Sequence, residues 1–193
     1  MKNIKLSDNF RLREFTYSKV ANHNVSIKES SHEYWLLAKL VINIQNLRDH
    51  FHAPIRITSG IRNKFVWNKL KDKGYNPSVR TDHSFGLPGV NQWGIGACDF
   101  FIVMRKKSLF VHRMWKMYFH IIRFMNFGQV IIYLTRYYTP IFIHLSNPYD
   151  VVYSKSFTHI RRPKYPILFK LSNKKSFSSL GELPTKISRR YSR

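Results

Sequence analysis

Two histidines and one acid stand where their chemistry would matter. In 81-TDHSFGLPGVNQWGIGACDFF-101, His83 opens and Asp99 closes a glycine-rich segment, and His144 lies further on in 141-IFIHLS-146. Asp99 is the only acidic residue between His83 and Asp150, in a chain with 33 Lys+Arg against 10 Asp+Glu. A carboxylate inside the apolar run ACDFFIV is either buried against a partner of opposite charge or holds a metal. Two imidazoles and a carboxylate form a sound zinc set, because three protein ligands leave the fourth tetrahedral position to a water. The chain has 9 histidines, so spacing alone does not separate a metal site from ordinary structural histidines. Convergence requires His83 in a loop and Asp99 and His144 on neighbouring strands.

The elements that must position them can be read from periodicity. Leu6 to about Ser18 predicts a short helix with Phe10, Leu12 and Phe15 inward. A stronger helix follows: Ser30 and Glu33 have capping-box spacing, Leu36, Leu37, Leu40, Val41, Ile44 and Leu47 recur at helical intervals, and Ala53-Pro54 stops it. The alternating 55-IRITSG-60 reads as a strand entering a loop, and residues 64–82, polar with Gly74 and Pro77, as a connection. The run 97-ACDFFIV-103 reads as a strand with Ala97, Asp99, Phe101 and Val103 on one face. Residues 108–126 predict an amphipathic helix with Val111, Met114, Trp115, Tyr118, Ile121, Ile122 and Met125 on its apolar face. Strands 129–134 and 141–146 follow, joined by a turn near Tyr138-Thr139-Pro140. The fold class is therefore α+β: a small antiparallel sheet packed against N-terminal helices and one long amphipathic helix. Residues 1–150 form the domain, and 151–193 a basic, Ser-rich C-terminal tail.

Composition sets outer limits. With 193 residues, 44% apolar and 16% aromatic, the chain can bury a core and is not globally disordered. Its single cysteine, Cys98, excludes an intramolecular disulfide. The N-terminus lacks the apolar stretch of a secretory signal, and Arg136 and the basic residues of 105–123 interrupt every run approaching the ~20 residues of a membrane span. Net charge is +23, with eleven Lys/Arg against Glu182 in residues 151–193. Such a field attracts polyanions: nucleic acid, anionic lipid or anionic wall polymer.

The order LREFTYS, RITSGIRN, TDHSFG…GACDF, IHLS resembles the zinc D-alanyl-D-alanine carboxypeptidase family, of hedgehog/DD-peptidase fold, and in particular short peptidoglycan peptidases of small phages. The likeness runs from about Leu6 to Asn147. The family's Ser-x-His-x-x-Gly-x-Ala-x-Asp block is occupied here by Thr81, His83, Gly86, Ala97 and Asp99, and its later histidine by His144. The resemblance implies Zn2+ on His83, Asp99 and His144, and a peptidase cutting peptidoglycan stem peptides. It also implies that Arg62, in 58-TSGIR-62, binds a substrate carboxylate or carbonyl, a role the guanidinium fork suits. A phage enzyme made in the host cytoplasm and acting at the bacterial wall would need no signal peptide of its own.

Three departures stand out. Ten residues separate Gly86 from Ala97 where the family has one, an insertion of nine with loop chemistry that is expected to bulge outward. Thr81 replaces a serine and keeps the hydroxyl. Ile141, three residues before His144, replaces the usual Glu, Asp or His of the general acid/base, whose loss costs about 10²–10⁴ in rate. Substitutes in reach by sequence are Asp82, His112, His120, Tyr137 and Tyr138. Cys98 alternates with Asp99 and is expected on the opposite face, as a buried thiol. The alternative function is a catalytically impaired wall- or nucleic-acid-binding protein on the same fold. In 155-KSFTHIRRPKYPILFKLSNKK-175, Lys and Arg interleave with aromatics, which suits nucleic acid. Anchoring to an anionic wall polymer or membrane surface agrees better with the peptidase reading.

Overall fold

The computed structural model describes residues 4–135, 139–148, 167–170 and 175–177. Along them run α1 (Leu12–Thr16), β1 (Tyr17–Ser18), β2 (His23–Asn24), α2 (His32–Phe51), β3 (Ile55–Ser59), α3 (Lys64–Asp72), a 3-10 turn (Asp82–Ser84), β4 (Ala97–Ile102), α4 (Lys107–Phe124), β5 (Val130–Leu134), β6 (Pro140–Ser146), β7 (Ile167–Lys170) and β8 (Lys175–Phe177). The architecture is α+β, as the succession of periodicities implies. β1 and β2 form a small antiparallel ribbon, and the other six strands lie in the order β3-β4-β6-β5-β7-β8. β5 and β6 are antiparallel, β7 runs parallel to β5, and β8 antiparallel to β7. The rest of the 151–193 extension lies outside the described residues, as does the expected turn at Tyr138. Among the described residues no helix is long and apolar enough to cross a membrane.

Packing divides the chain into two compact units. The first comprises Met1–His50 and Ile57–Cys98. It is built on α2, whose Leu36, Leu37, Leu40, Val41, Ile44 and Leu47 are all buried, the stripe the helical spacing selects. Ser31 rather than Ser30 serves the helix start, its Oγ accepting from the Tyr34 amide at 3.3 Å. The expected helix over 6–18 shrinks to Leu12–Thr16. The amides of Leu6 and Ser7 both donate to the Phe10 carbonyl, forming a turn, and Tyr17–Ser18 leaves to pair as β1. Phe10, Leu12 and Phe15 are nevertheless buried, as expected.

α3 corrects the reading of 64–82 as a connection. Asn63 caps it, the side chain accepting from the Val66 amide at 3.0 Å, and Gly74 at φ 79 follows its end. Val66 and Trp67 anchor its inner side. A cap at one end and a left-handed glycine at the other outweigh the polar composition between them.

The second unit comprises Phe51–Arg56 and Asp99–Arg193. In it α4 packs on β5 and β6 and buries Met114, Trp115, Met117, Tyr118, Phe119 and Ile121. Four of these match the expected face. Met117 and Phe119 join them, while Val111, Ile122 and Met125 are only half-buried. The helix is apolar around much of its circumference, so the sheet selects the face. Arg113 Nη1 donates to the Phe51 carbonyl at 2.5 Å, satisfying a carbonyl at the C-terminus of α2.

Candidate metal centre

His83 sits in the 3-10 turn Asp82–Ser84. Thr81 opens the turn, its Oγ1 accepting from the His83 amide at 3.3 Å. Phe85 and Gly86, at φ 52 and φ 81, reverse the chain after it. The His83 ring is oriented by the Gly60 carbonyl, 2.7 Å from Nδ1. A carbonyl can only accept, so Nδ1 carries a proton; in the neutral ring Nε2 then keeps its lone pair, the tautomer a metal-binding imidazole needs.

The Gly60 carbonyl is itself fixed by close packing. A Cβ at position 60 would collide with the Phe15 carbonyl oxygen and stand 2.7 Å from the Phe15 Cα. Ile61 donates its amide to that same carbonyl at 2.7 Å, and the Arg62 amide donates to the His83 carbonyl at 2.8 Å. Residues 60–62 thus hold His83 by its ring and by its backbone. No side-chain pattern announces this support; the glycine ending a strand is its only trace in the sequence.

Asp99 occupies the third position of β4, where Ala97, Cys98, Asp99, Phe100 and Ile102 are all buried. His144 lies mid-strand in β6, opposite Ile131 of β5. Its Nδ1 is 2.8 Å from Asp99 Oδ1, and both residues are buried, at 6% and 7% exposure. A carboxylate this far from water requires a hydrogen-bonding or coordinating partner, and the imidazole supplies one. Cys98 is buried, as expected.

His83, Asp99 and His144 form one cluster: each offers a ligand atom, and these atoms all lie within 4.8 Å of one another. Nitrogen, oxygen, nitrogen is a donor set suited to zinc among divalent ions. Two donors about 2.1 Å from a shared tetrahedral ion stand about 3.4 Å apart, so small side-chain movements bring this set to coordination distance. The residues fit a metal ion; its identity is not fixed by them.

The other sequence candidates are not among the three grouped ligands. Arg62 is half-buried, and its Nε and Nη2 donate to Ser59 Oγ at 3.1 and 2.8 Å. Asp82 accepts at its backbone carbonyl from the Phe85 and Gly96 amides and is not a member of the metal-ligating group. His112 and His120 belong to α4 and are likewise outside it. Tyr137 and Tyr138 lie outside the described residues. Ile141 has a special place: β6 pairs Phe142 with Tyr133 but Pro140 with Leu134, a register shift that leaves Ile141 as the extra residue. Such a bulge re-aims the side chain it carries.

The segment between Gly86 and Ala97 folds back on the histidine turn. Ser84 Oγ donates to the Asn91 carbonyl at 2.5 Å, Asn91 Nδ2 to the Thr81 carbonyl at 3.3 Å, and the Gly96 amide to the Asp82 carbonyl at 3.0 Å. Gly94 lies so close that a Cβ there would overlap Ser84 Oγ and stand 2.9 Å from the Thr81 carbonyl. Gln92 and Trp93 stay exposed at the tip. Pro88 and Gly89 are exposed as well, and the base of the segment buttresses the turn that carries His83.

No family model, curated protein or solved structure compared with the chain matches it.

Proposed function

We propose that the chain is a zinc-dependent peptidase acting on the stem peptides of peptidoglycan. The observation that carries the reading is the buried His83–Asp99–His144 cluster, with its ligand atoms within 4.8 Å of one another. The substrate class rests on the ordered likeness of TSGIR, TDHSFG…GACDF and IHLS to the zinc D-alanyl-D-alanine carboxypeptidases. Zinc on these residues would supply Lewis acidity toward a peptide carbonyl and a water acidified to near neutral pKa. The Gly60 carbonyl keeps the His83 proton on Nδ1. Asp99 and His144 orient each other. Arg62 swings its fork from Ser59 to the carboxylate of a peptide terminus, replacing two bonds to a neutral hydroxyl by charge-assisted ones. Asp82 is the candidate for proton transfer in place of an acid at 141. A phage enzyme reaching the wall through a particle or a membrane lesion is the setting this reading implies.

A second reading is favoured by one residue. Ile141 can neither take nor give a proton, so the fold could serve as a wall-binding module that has lost catalysis. Zymography on a purified-peptidoglycan gel separates the two. Clearing that is lost in Asp99→Ala supports the peptidase, whereas retained wall binding with no clearing by either protein supports the module.

A further inference from the structure

The helix that the sequence pattern hides carries a surface the metal cluster does not use. α3 and the residues after it, from 64 to 80, hold Lys64, Lys69, Lys71, Lys73 and Arg80, all exposed, against Asp72 alone. Asp72 lies 3.9 Å from Lys69 and offsets one charge at most. Several of these cations are held in place. Lys64 and Lys71 set their ammonium groups 4.6 and 4.8 Å from the centroid of Trp67. Lys69 lies 5.8 Å from the centroid of Phe65, whose ring also meets His23 at 4.6 Å. Trp67 is fixed in turn by its indole N–H, which donates to the Ser78 carbonyl at 3.2 Å, and Lys73 Nζ donates to the Val20 carbonyl at 2.7 Å.

We propose that this face docks an anionic wall polymer of the polyol-phosphate kind, a flexible chain of phosphodiesters without bases. Charge complementarity requires a polyanion. Lysine ammonium groups, as hydrated point charges, suit many loose phosphate contacts rather than a forked readout. Resting on aromatic faces, they lose less side-chain freedom on binding than free lysines would. The same contacts argue against single-stranded nucleic acid, which needs open ring faces for its bases. Trp67 is only 8% exposed and carries two cations, and Phe65 is flanked by Lys69 and His23. Phe65 and Tyr75 are exposed at 46% and 56%, but Phe65 already meets a cation and an imidazole, which leaves Tyr75 as the open platform of this segment where a base-stacking strip needs several. This docking goes beyond the peptidase reading and does not depend on it, since it uses no residue of the metal cluster.

The test is direct binding of the full chain to purified poly(glycerol phosphate) polymer, with and without chelator, at two salt concentrations. Lys64→Gln/Lys71→Gln/Lys73→Gln is compared with a control of equal charge loss, Lys106→Gln/Lys107→Gln/Lys116→Gln. The expected result is a loss on the order of 10–100-fold for the α3 triple variant, several-fold more than for the control, a shallower salt dependence, and no effect of chelator. Equal losses in the two triples would overturn the proposal by showing that total charge alone binds the polymer. Tighter binding of a single-stranded oligonucleotide of matched charge, abolished by the same α3 triple, would reassign the face to nucleic acid and also overturn it. A chain that binds the polymer yet clears no peptidoglycan leaves this proposal standing while the peptidase reading falls.

Discussion

Zinc should stabilise the native chain through Asp99, and the size of the effect can be worked from the cluster. The unfolded chain has no assembled site, so an ion held by His83, Asp99 and His144 favours the native state by RT ln(1 + [L]/Kd). At 100 times Kd that is about 2.7 kcal/mol. For a chain of this size, each kcal/mol moves Tm by about 2–4 °C, so zinc should raise it by about 5–10 °C. Asp99→Asn keeps an amide oxygen where Oδ1 now sits 2.8 Å from His144 Nδ1. In that pair the metal-free variant loses the charged part of the hydrogen bond, about 1 kcal/mol or 2–4 °C. It also loses an anionic ligand, so most of the zinc-induced shift should vanish. The gap between the two proteins then widens from about 2–4 °C in chelator to roughly 10 °C in zinc. Differential scanning calorimetry at matched protein concentration, with metal content determined in parallel, reads both numbers. A zinc shift of equal size in Asp99→Asn would refute the reasoning, because surface histidines would then be binding the ion. So would a wild-type chain that folds, is offered zinc and shows no shift.

Gly60→Ala should lower the stability of the metal-free chain by about 1–3 kcal/mol through overpacking against Phe15. By moving the carbonyl that orients His83 it should also weaken zinc affinity about 10–100-fold, read by competition with a chromophoric chelator. Tyr118→Phe should stabilise by up to about 1 kcal/mol in urea titration: the hydroxyl is fully buried, has no hydrogen-bond partner among the described residues, and burial holds its ionisation far above the ordinary phenol range. Ile141→Glu, placing a carboxylate at the bulge of β6, should raise peptidoglycan-clearing activity by up to about 10²-fold; unchanged clearing with retained zinc would place proton transfer elsewhere.

Side chains with distinctive chemistry were legible in the sequence, and backbone support was not. Asp99 is conspicuous as the only acid between His83 and Asp150, whereas His83 and His144 are picked out of 9 histidines by the order of the blocks that carry them. The helical stripe of α2 is equally plain, since Leu36 through Leu47 repeat at a single period. The Gly60 carbonyl has no letter of its own, yet it fixes the tautomer of His83. Phe10, Leu12 and Phe15 are buried as expected, but the step of two from Phe10 to Leu12 is not helical, and the helix contracts to Leu12–Thr16, which keeps the step of three. α3 was masked by its lysines: its apolar content is small, and its boundaries are written in Asn63 and Gly74 rather than in a hydrophobic stripe. The bulge at Ile141 depends on how β5 and β6 align, a pairing that neither strand specifies alone.

The charge of the cluster explains why an acid survives in so basic a chain. Burying a carboxylate costs several kcal/mol unless a partner compensates, and 33 Lys+Arg could have furnished a cationic one. His144 Nδ1 stands 2.8 Å from Asp99 Oδ1, and His83 completes the group. An ammonium or guanidinium would neutralise the carboxylate permanently and close the site to a cation. Imidazoles can be neutral donors, so the set carries one negative charge and accepts a divalent ion with a residual single positive charge. Replacing His144 by lysine would therefore keep Asp99 compensated and abolish metal binding, whereas a purely structural pair would tolerate the exchange of one cationic partner for another. Substitution by lysine, with metal content and melting temperature read on the same sample, distinguishes a site built for an ion from an ion pair that happens to contain histidine.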